Sequence, residues 1–323
     1  MNQAAVKTHF VVEEGPNPSS DYFVLPFLDA SGASVTRYSF NQLPSAEQLR
    51  GADVTFVRYV PASWQRLLEA HRHHIASLNF FMDDDLFHWP AFARMPLRYQ
   101  WKLLRYSWSK RRWLRKMGAQ LQVSTPYLQQ RYAGWSPRLL SPQTPPQLRD
   151  CVWGTSAGTS AEDPSGPVTL FYHGSASHGR DLEWLRPVIG EVLHRNPRLV
   201  FEVIGNHAVN RLFRGLPRVH VIHPMKWPSY QALIRRPGRA IGLAPLLDSA
   251  FNRARSHTKF LDITLAGAVG IYAEGPVYGS VVQHGQNGLL LPMQQGAWVD
   301  AILKLSGEPQ LRLSLLEGAR ECL

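Results

Sequence analysis

The 323-residue sequence is poor in cysteine, with only Cys151 and Cys322. Two thiols so far apart in sequence argue against a disulfide framework and against a metal site built from cysteine, which favours a reducing compartment. No apolar run reaches the ~18 residues of a membrane-spanning helix. The first residues, MNQAAVKTHF, lack the charged-then-apolar layout of a secretory signal. We therefore expect a cytoplasmic protein, either free or peripheral on the inner face of the cytoplasmic membrane.

Acidic residues are absent from residues 86–149, although the whole chain has 24 Asp and Glu against 35 Lys and Arg, a net charge of +11. Within this gap, residues 98–117 (RYQWKLLRYSWSKRRWLRKM) have helical periodicity, with Trp101, Leu104 and Trp108 along one side and basic residues around the remainder. An anionic membrane surface suits this mixture, because each cation near it contributes ~1 kcal/mol. A solvated basic helix whose aromatic stripe packs on its own sheet is the main alternative. Nucleic acid is the least favoured partner.

Short β-branched or aromatic runs alternate with helical patterns along the chain. The predicted strands of the first half are HFVVEE, ASVTRYSF, ADVTFVRYV, SLNFFMDDD, AQLQVS and RLLSP. After a stretch rich in Pro, Gly, Ser and Thr, the alternation restarts with VTLFYH, VFEVIG, VHVIHP, AIGLAPL and GIYAE. Strict alternation predicts parallel sheets covered by helices on both faces. We therefore expect an α/β protein of two Rossmann-like, doubly wound domains facing each other across a cleft, residues 1–160 (with a linker from about 143) and 161–323.

Ligands of parallel sheets bind beyond the carboxyl ends of the strands, so the residues that follow predicted strands are candidates for binding. In the second domain these residues are His173, Gly174, Ser175, His178, Asn206 and Met225. Gly174 and Ser175 can bring backbone N–H groups close to an anion. His173 and His178 would add hydrogen-bond donors or positive charge beside it.

The segment SHTKFLDITLAGAVGIYAEG, residues 256–275, places Lys259 and Asp262 one turn apart on a predicted helix. Ser256 is the predicted N-cap, and Arg255 comes directly before it. The two cations and the helix dipole would form a pocket for a diphosphate. The Asp262 carboxylate would accept hydrogen bonds from the hydroxyls of a ribose. A simple i, i+3 ion pair between Lys259 and Asp262 is the alternative.

Three aspartates, Asp83, Asp84 and Asp85, follow a predicted strand of the first domain. Three roles suit them, namely helix capping, a cleft-facing place in the acceptor site and binding of a divalent cation, the last the least favoured. His88 lies just beyond. The run HRHH, residues 71–74, has no carboxylate or cysteine beside it, so we interpret it as a solvated helix end. No metal site is expected.

Three segments in order, YHGSASHGRDLEWL, AFNRARSHTKFLDITLAG and GSVVQHGQNGLLL, resemble the nucleotide-binding domain of GT-B glycosyltransferases. The resemblance is strongest to family 4 and its relatives in bacterial surface-polysaccharide synthesis. It covers about residues 168–292, and extends more loosely to the first domain through NPSSDYFVLPFLDASGASV, MDDDLFH and VSTPYLQQRY. It implies an enzyme that moves a sugar, with retention of configuration, from a UDP- or GDP-sugar to a glycan or lipid-linked acceptor. Such enzymes need neither a metal nor another cofactor.

The resemblance also implies roles for individual residues. Asp262 stands where the family has a ribose-binding glutamate, and Lys259 lies in the donor pocket. Residues 251–255 would flank the donor sugar and phosphates, His178 would bind the diphosphate, and Gly15 would approach the donor from the acceptor domain. The predicted catalytic residues are thus Asp84, His178, Arg255 and Lys259, and the predicted donor-binding residues are Gly15, His173, Gly174, Ser175, Asn206, Met225, Asn252, Ser256 and Asp262.

One position departs from the family pattern. The family has two glutamates separated by seven residues, and the first of them is Ala254 here. Asp248 and Asn252 are candidates for its role. Because alanine has no hydrogen-bonding side chain, the alternative function is a catalytically degenerate GT-B protein that acts as a partner of another transferase.

Overall fold

The computed structural model describes residues 8–93, 95–145, 148, 166–174 and 179–323. The chain divides into two compact units, the first formed by Met1–Pro145 with Ser249–Ser256 and the second by Pro146–Asp248 with His257–Leu323. From the sequence alone, Ser249–Ser256 is expected in the second domain. The structure groups this segment with the first unit, because Phe251 and Ala254 are buried in that unit's apolar core.

The first unit is a six-stranded parallel sheet with helices between its strands. The strands are β1 Thr8–Glu13, β2 Ser34–Ser39, β3 Asp53–Val57, β4 Ser77–Met82, β5 Gln120–Val123 and β6 Arg138–Leu139, in the order β2-β1-β3-β4-β5-β6. The helices are α1 Leu25–Ala30, α2 Ala62–Ala70, α3 Trp89–Phe92, α4 Leu97–Tyr106, α5 Arg111–Lys116 and α6 Pro126–Arg131. Every residue of β3 is buried, as expected for a strand covered on both faces. The strand order reverses between β1 and β3, which makes the carboxyl ends of these strands a favoured place for a ligand.

Two helical stretches of the first unit depart from a regular α-helix. A π-helical turn, Ser20–Val24, leads directly into α1. The predicted basic helix breaks at Ser107, where φ is −127° and ψ is −68°. The hydroxyl of this buried serine donates a hydrogen bond to the carbonyl of Arg58 at 2.6 Å, which holds the chain out of helical geometry. A 3₁₀ turn and α5 continue the chain.

The second unit repeats the architecture. Its strands are β7 Val168–Tyr172, β8 Leu199–Ile204, β9 Val219–Ile222, β10 Ile241–Ala244, β11 Val269–Ala273 and β12 Leu289–Leu291, all parallel, in the order β12-β11-β10-β7-β8-β9. Its helices are α7 Gly179–Arg195, α8 His207–Leu212, α9 Trp227–Ile234, α10 Thr258–Leu265, α11 Gln295–Gly307 and α12 Pro309–Arg320. Here the order reverses between β7 and β10. The prediction of two doubly wound α/β sheets is confirmed, and β12 is a strand that the sequence analysis missed.

None of the helices within the described ranges is long and apolar enough to cross a bilayer.

Candidate functional site

The carboxyl end of β7 lies at the reversal of strand order in the second unit, and two predicted residues, His173 and Gly174, follow it directly. Tyr172, the last residue of the strand, is fully buried. A Cβ built on Gly174 would lie 2.7 Å from a ring carbon of Tyr172. Only glycine therefore fits here without displacement of the ring, and its backbone is left bare at the place where ligands of such sheets bind.

Helix α10 begins at Thr258, and His257 occupies the N-cap position without a side-chain capping hydrogen bond. The prediction of Ser256 as N-cap is therefore wrong. Ser256 is half-buried and is the last residue of the segment that belongs to the first unit. Burial lowers the pKa of His257, which favours its neutral form at the start of this helix.

Lys259 lies in the first turn of α10 and is held at the end of β7. Its Nζ donates a hydrogen bond to the backbone carbonyl of His173 at 2.8 Å. The same ammonium group lies 4.7 Å from the centroid of the Tyr172 ring, within the range of a cation–π interaction. These contacts place a positive charge beside Gly174, where the sequence analysis expected a diphosphate.

Asp262 lies one turn further along α10 and accepts a hydrogen bond from Tyr230 of α9. Desolvation and the nearby Asp262 carboxylate raise the pKa of Tyr230 well above its usual value, so the tyrosine remains a protonated donor. The Tyr230 ring is also 5.5 Å from the His173 ring. Lys259 and Asp262 therefore both face residues gathered around the end of β7.

His173 contacts an ion pair of the second unit, that of Glu202 with Arg239. Its Nε2 lies 2.9 Å from Oε1 of Glu202, and Nε of Arg239 donates to the same oxygen at 2.6 Å. Desolvation opposes the charge of Glu202, but the hydrogen bonds from His173 and Arg239 lower its pKa to about 2. An ionised Glu202 can only accept, so Nε2 of His173 carries the proton.

Burial lowers the pKa of His173 although Glu202 acts in the opposite direction. The imidazole is therefore neutral near pH 7, and its N–H is directed at Glu202. This differs from the expectation that His173 supplies a donor or a positive charge to an anion. Its Nδ1 is buried and makes no hydrogen bond within the described parts of the chain, so His173 offers an acceptor instead.

In the first unit, a buried cluster of charges lies at the carboxyl ends of β3 and β4. Arg58 follows β3 with a φ of +66° and contacts Asp83 at 3.0 Å and Asp84 at 2.6 Å. Arg255 reaches the other oxygen of Asp84 at 3.0 Å. Arg58 also donates a hydrogen bond to the hydroxyl of Tyr99 at 3.0 Å. Desolvation opposes the charge of Arg58, but the two carboxylates raise its pKa well above the usual value.

Asp85, the third aspartate of the run, forms an ion pair with a different arginine. Asp85 contacts Arg131 at 2.6 Å and accepts a hydrogen bond from the hydroxyl of Tyr132, while His88 lies 3.5 Å away. Desolvation and Asp85 raise the pKa of Tyr132, which keeps its proton. All three aspartates thus form ion pairs with arginines, a role that is not among the three predicted from the sequence. Among the residues described, no group of His, Cys, Asp and Glu has the arrangement of a metal site.

Arg255, predicted to bind a diphosphate together with Lys259, lies in the ion-pair cluster of the first unit. Its guanidinium also stacks 4.2 Å from the centroid of the Phe251 ring. Asn252, a predicted donor-binding residue, is likewise buried in the first unit. The structure therefore assigns Arg255 and Asn252 to a different unit from Lys259.

The other predicted residues have diverse environments. The carbonyl of Gly15 accepts a hydrogen bond from Asn17 at 2.9 Å, and a Cβ at Gly15 would meet no atom within 4 Å. Asn206 caps α8 through a hydrogen bond from the Ala208 N–H at 2.9 Å, a structural role. Met225 follows β9 and is half-buried. Ser175 and His178 lie outside the described residues.

Sequence reasoning missed the residues that hold the predicted ones in place. The run ADVTFVRYV predicts a strand that includes Arg58, but β3 ends at Val57. The arginine inside this apolar run is the sequence signal that the strand ends there. Glu202 and Tyr230 act across the sheet and between helices, at sequence separations that no local pattern reveals.

No protein-family profile and no curated protein matches the sequence. Solved structures do match its fold. Sucrose-phosphate synthase from Thermosynechococcus elongatus is 12% identical and superposes with a TM-score of 0.61 over 98% of this chain and 94% of its own. HepE of Anabaena, solved in complex with UDP and glucose, is 11% identical, with a TM-score of 0.55 and coverages of 98% and 94%. WaaG, a glycosyltransferase involved in lipopolysaccharide biosynthesis, is 14% identical, with a TM-score of 0.56 and coverages of 97% and 94%.

The chain spans only 51% of the length of another matched protein, TarM, with 10% identity and a TM-score of 0.56 over 84% of this chain. At these identities the likeness concerns the fold, which is that of GT-B glycosyltransferases.

Proposed function

We propose that this protein is a glycosyltransferase that moves a sugar from a nucleoside-diphosphate sugar to an acceptor hydroxyl. The observation that carries the proposal is the group of side chains at the end of β7. Lys259 of α10 contacts the carbonyl of His173 next to Gly174, and Asp262 of α10 interacts with Tyr230, whose ring lies 5.5 Å from that of His173. The fold supports it, since GT-B proteins of known structure include one in complex with UDP and glucose.

Each side chain of this group suits one part of such a donor. The Lys259 ammonium, at the start of a helix and beside bare backbone, suits the diphosphate. The Asp262 carboxylate can accept several hydrogen bonds and suits the hydroxyls of a ribose. Nδ1 of neutral His173 suits a hydroxyl or amide donor, which is a sugar-like contact and not a phosphate contact.

The proposed chemistry is the displacement of the nucleoside diphosphate from the anomeric carbon by the acceptor oxygen. A bond forms from the acceptor oxygen to the anomeric carbon as the bond from that carbon to the phosphate oxygen breaks. Negative charge develops on the leaving phosphate, which takes up the proton of the acceptor hydroxyl. Lys259 stabilises that charge, and His178 is proposed to assist. Transfer with retention of configuration and without a metal ion follows from the family resemblance of the sequence, as do a UDP or GDP donor and a glycan or lipid-linked acceptor.

The biological setting belongs to the same proposal. We infer a role in bacterial glycan or polysaccharide synthesis in the cytoplasm, from the family resemblance of the sequence and from the fold shared with WaaG.

Calorimetric titration with UDP and GDP tests the binding site directly. We expect one of the two nucleotides to bind the wild type, Lys259→Met to weaken binding by about tenfold or more, and Asp262→Asn to weaken it as well, because charge-assisted hydrogen bonds are lost. Lys304→Ala is the matched control, since Lys304 is an exposed cation of the same unit, on α11.

Turnover completes the test. A panel of UDP- and GDP-sugars is incubated with the protein, and release of the nucleoside diphosphate is followed with and without a chelator. If neither nucleotide binds at millimolar concentration, or if Lys259→Met and Lys304→Ala bind equally, the proposed donor site is refuted.

A degenerate GT-B protein that serves another transferase is the second candidate, and one observation favours it. Ala254, at the position of the family's first glutamate, is fully buried in the apolar core of the first unit. A carboxylate at that position would be buried without water, so this chain has no equivalent group there. Nucleotide binding without turnover of any donor in the panel would establish this candidate.

A further inference from the structure

Large apolar side chains are exposed mainly in one part of the first unit. Within the described residues, those most exposed to solvent are Leu43, Trp89, Leu97, Trp101, Trp108 and Leu313. Four of these six lie in residues 89–108, the region of α3, α4 and the following turn. Exposed tryptophans grouped in this way mark an interaction surface, whereas single exposed apolar residues are ordinary.

The orientation of α4 explains the exposure. Leu103 is buried and Tyr99 and Tyr106 are half-buried against the core of the unit. Leu97 and Trp101 are one turn apart on the opposite side, and they are 81% and 65% exposed. The alternative in which the aromatic stripe packs on its own sheet is therefore wrong for Trp101.

Trp108, which follows the break at Ser107, is 45% exposed as well. The turn that carries it continues into α5, so two exposed tryptophans belong to one continuous stretch of chain.

The charged side chains that α4 and α5 themselves contribute are all basic, and one of them, Lys102, pairs with the exposed Glu14 at 2.5 Å. Exposed Arg98 and Arg105 lie on the outward side of α4, and exposed Arg112 and Lys116 belong to α5. No acidic residue occurs in residues 86–149. We name the surface formed by Leu97, Arg98, Trp101, Arg105 and Trp108 the α4 surface.

We propose that the α4 surface binds the headgroup region of an anionic lipid bilayer. Leu97 and the tryptophans would enter the boundary between headgroups and acyl chains, where amphipathic aromatic rings are favoured. The arginines would contact anionic phosphates, and their aliphatic stems would cover apolar surface beside them. A nucleic acid would use the same cations, but it would not need an exposed leucine with two tryptophans.

This binding does not require the transferase activity. It nevertheless fits the proposed function, because the inner side of α4 carries Tyr99, which receives a hydrogen bond from Arg58 of the Asp83–Asp84 cluster. A helix with one side on lipid and the other on a buried polar cluster suits an enzyme with a lipid-linked acceptor.

Vesicle co-sedimentation tests the proposal without any nucleotide. The protein is mixed with vesicles of equimolar phosphatidylglycerol and phosphatidylcholine, or of phosphatidylcholine alone, at low and at high ionic strength. We expect binding to the anionic vesicles that weakens with salt. Arg98→Ser/Arg105→Ser should lower the partition coefficient by about 25-fold, at roughly fivefold per cation.

The apolar contribution is tested by Leu97→Ser/Trp101→Ser, which should lower partitioning by on the order of tenfold or more. Leu43→Ser and Arg50→Ser are matched controls, since Leu43 is 46% exposed and Arg50 is exposed in the same unit outside the α4 surface. Both controls should bind as the wild type does. Because all the altered side chains are exposed, thermal melts should be unchanged.

Two results would overturn the proposal. In one, Leu97→Ser/Trp101→Ser partitions like the wild type. In the other, the protein ignores anionic vesicles and binds duplex DNA with a steep dependence on salt, which would make the cations a nucleic-acid site. Neither result bears on nucleotide binding at Lys259, so failure here is distinguishable from failure of the proposed function.

Discussion

Substitution of Asp84 by asparagine provides a strong test of the buried charge cluster. Asp84 is 1% exposed and contacts two arginines, Arg58 at 2.6 Å and Arg255 at 3.0 Å. Asparagine keeps the shape of the side chain but removes its charge. Of the two carboxylates that contact Arg58, whose side chain is 18% exposed, Asp83 alone would then keep its charge.

Removal of one partner from a buried ion pair costs about 3–5 kcal/mol, because a charge is left in a poorly solvated place. We expect the lower end of this range, since Asp83 still contacts Arg58 at 3.0 Å. At roughly 2–4 °C per kcal/mol for a domain of this size class, the melting temperature of the first unit should fall by roughly 10 °C. Urea unfolding followed by tryptophan fluorescence and a thermal melt measure the two quantities.

Asp29→Asn is the matched control, since it removes the same charge from an exposed position of the first unit. A double-mutant cycle with Arg255→Gln isolates the contact between Asp84 and Arg255, for which we expect a coupling of about 1–3 kcal/mol. If Asp84→Asn is no less stable than Asp29→Asn, the cluster contributes nothing to folding. The contact between Asp84 and Arg255 would then not help to hold residues 249–256 in the first unit.

Two further predictions concern the end of β7. Folding lowers the pKa of Glu202 from 4.5 to about 2, so its contribution to stability is present above pH 4.5 and is lost as the pH falls toward 2. Chemical unfolding should therefore show that the wild type exceeds Glu202→Gln in free energy of unfolding by about 2 kcal/mol less at pH 3 than at pH 6. A difference that does not change with pH would contradict the lowered pKa of Glu202. Gly174→Ala places a Cβ 2.7 Å from the buried Tyr172 ring and should lower the free energy of unfolding by about 1–3 kcal/mol in urea titrations. Gly15→Ala, with no atom within 4 Å of the new Cβ, should be neutral, and equal stability of the two variants would show that the contact at Gly174 is relieved without cost.

The architecture could be predicted from the sequence because burial on both faces of a parallel sheet leaves continuous apolar runs. Runs such as VTLFYH and VFEVIG became β7 and β8 almost without change. β12 was missed because it has only three residues, Leu289–Leu291, and follows glycine-containing turns. A strand this short shows no alternation that could be recognised locally.

The candidate site was predicted in part. Lys259 and Asp262 lie close to His173 and Tyr230, because a helix that follows one central strand returns its first turns to the end of the neighbouring strand. The pairing of Arg255 with Asp84 was not predictable, since it joins residues 171 positions apart and depends on where residues 249–256 pack. The sequence around a charged residue does not reveal which distant group forms an ion pair with it.

Because Ser249–Ser256 belongs to the first unit, neither unit is formed by one continuous piece of the chain. A fragment that ends at Pro145 would lack Phe251 and Ala254, which are 8% and 0% exposed. The apolar surface that these two residues cover would then be exposed to solvent. Recombination between proteins of this fold at a single crossover would therefore separate this short peptide from the core it completes. Successful chimeras should need three junctions, so that the peptide is inherited with the half into which it packs.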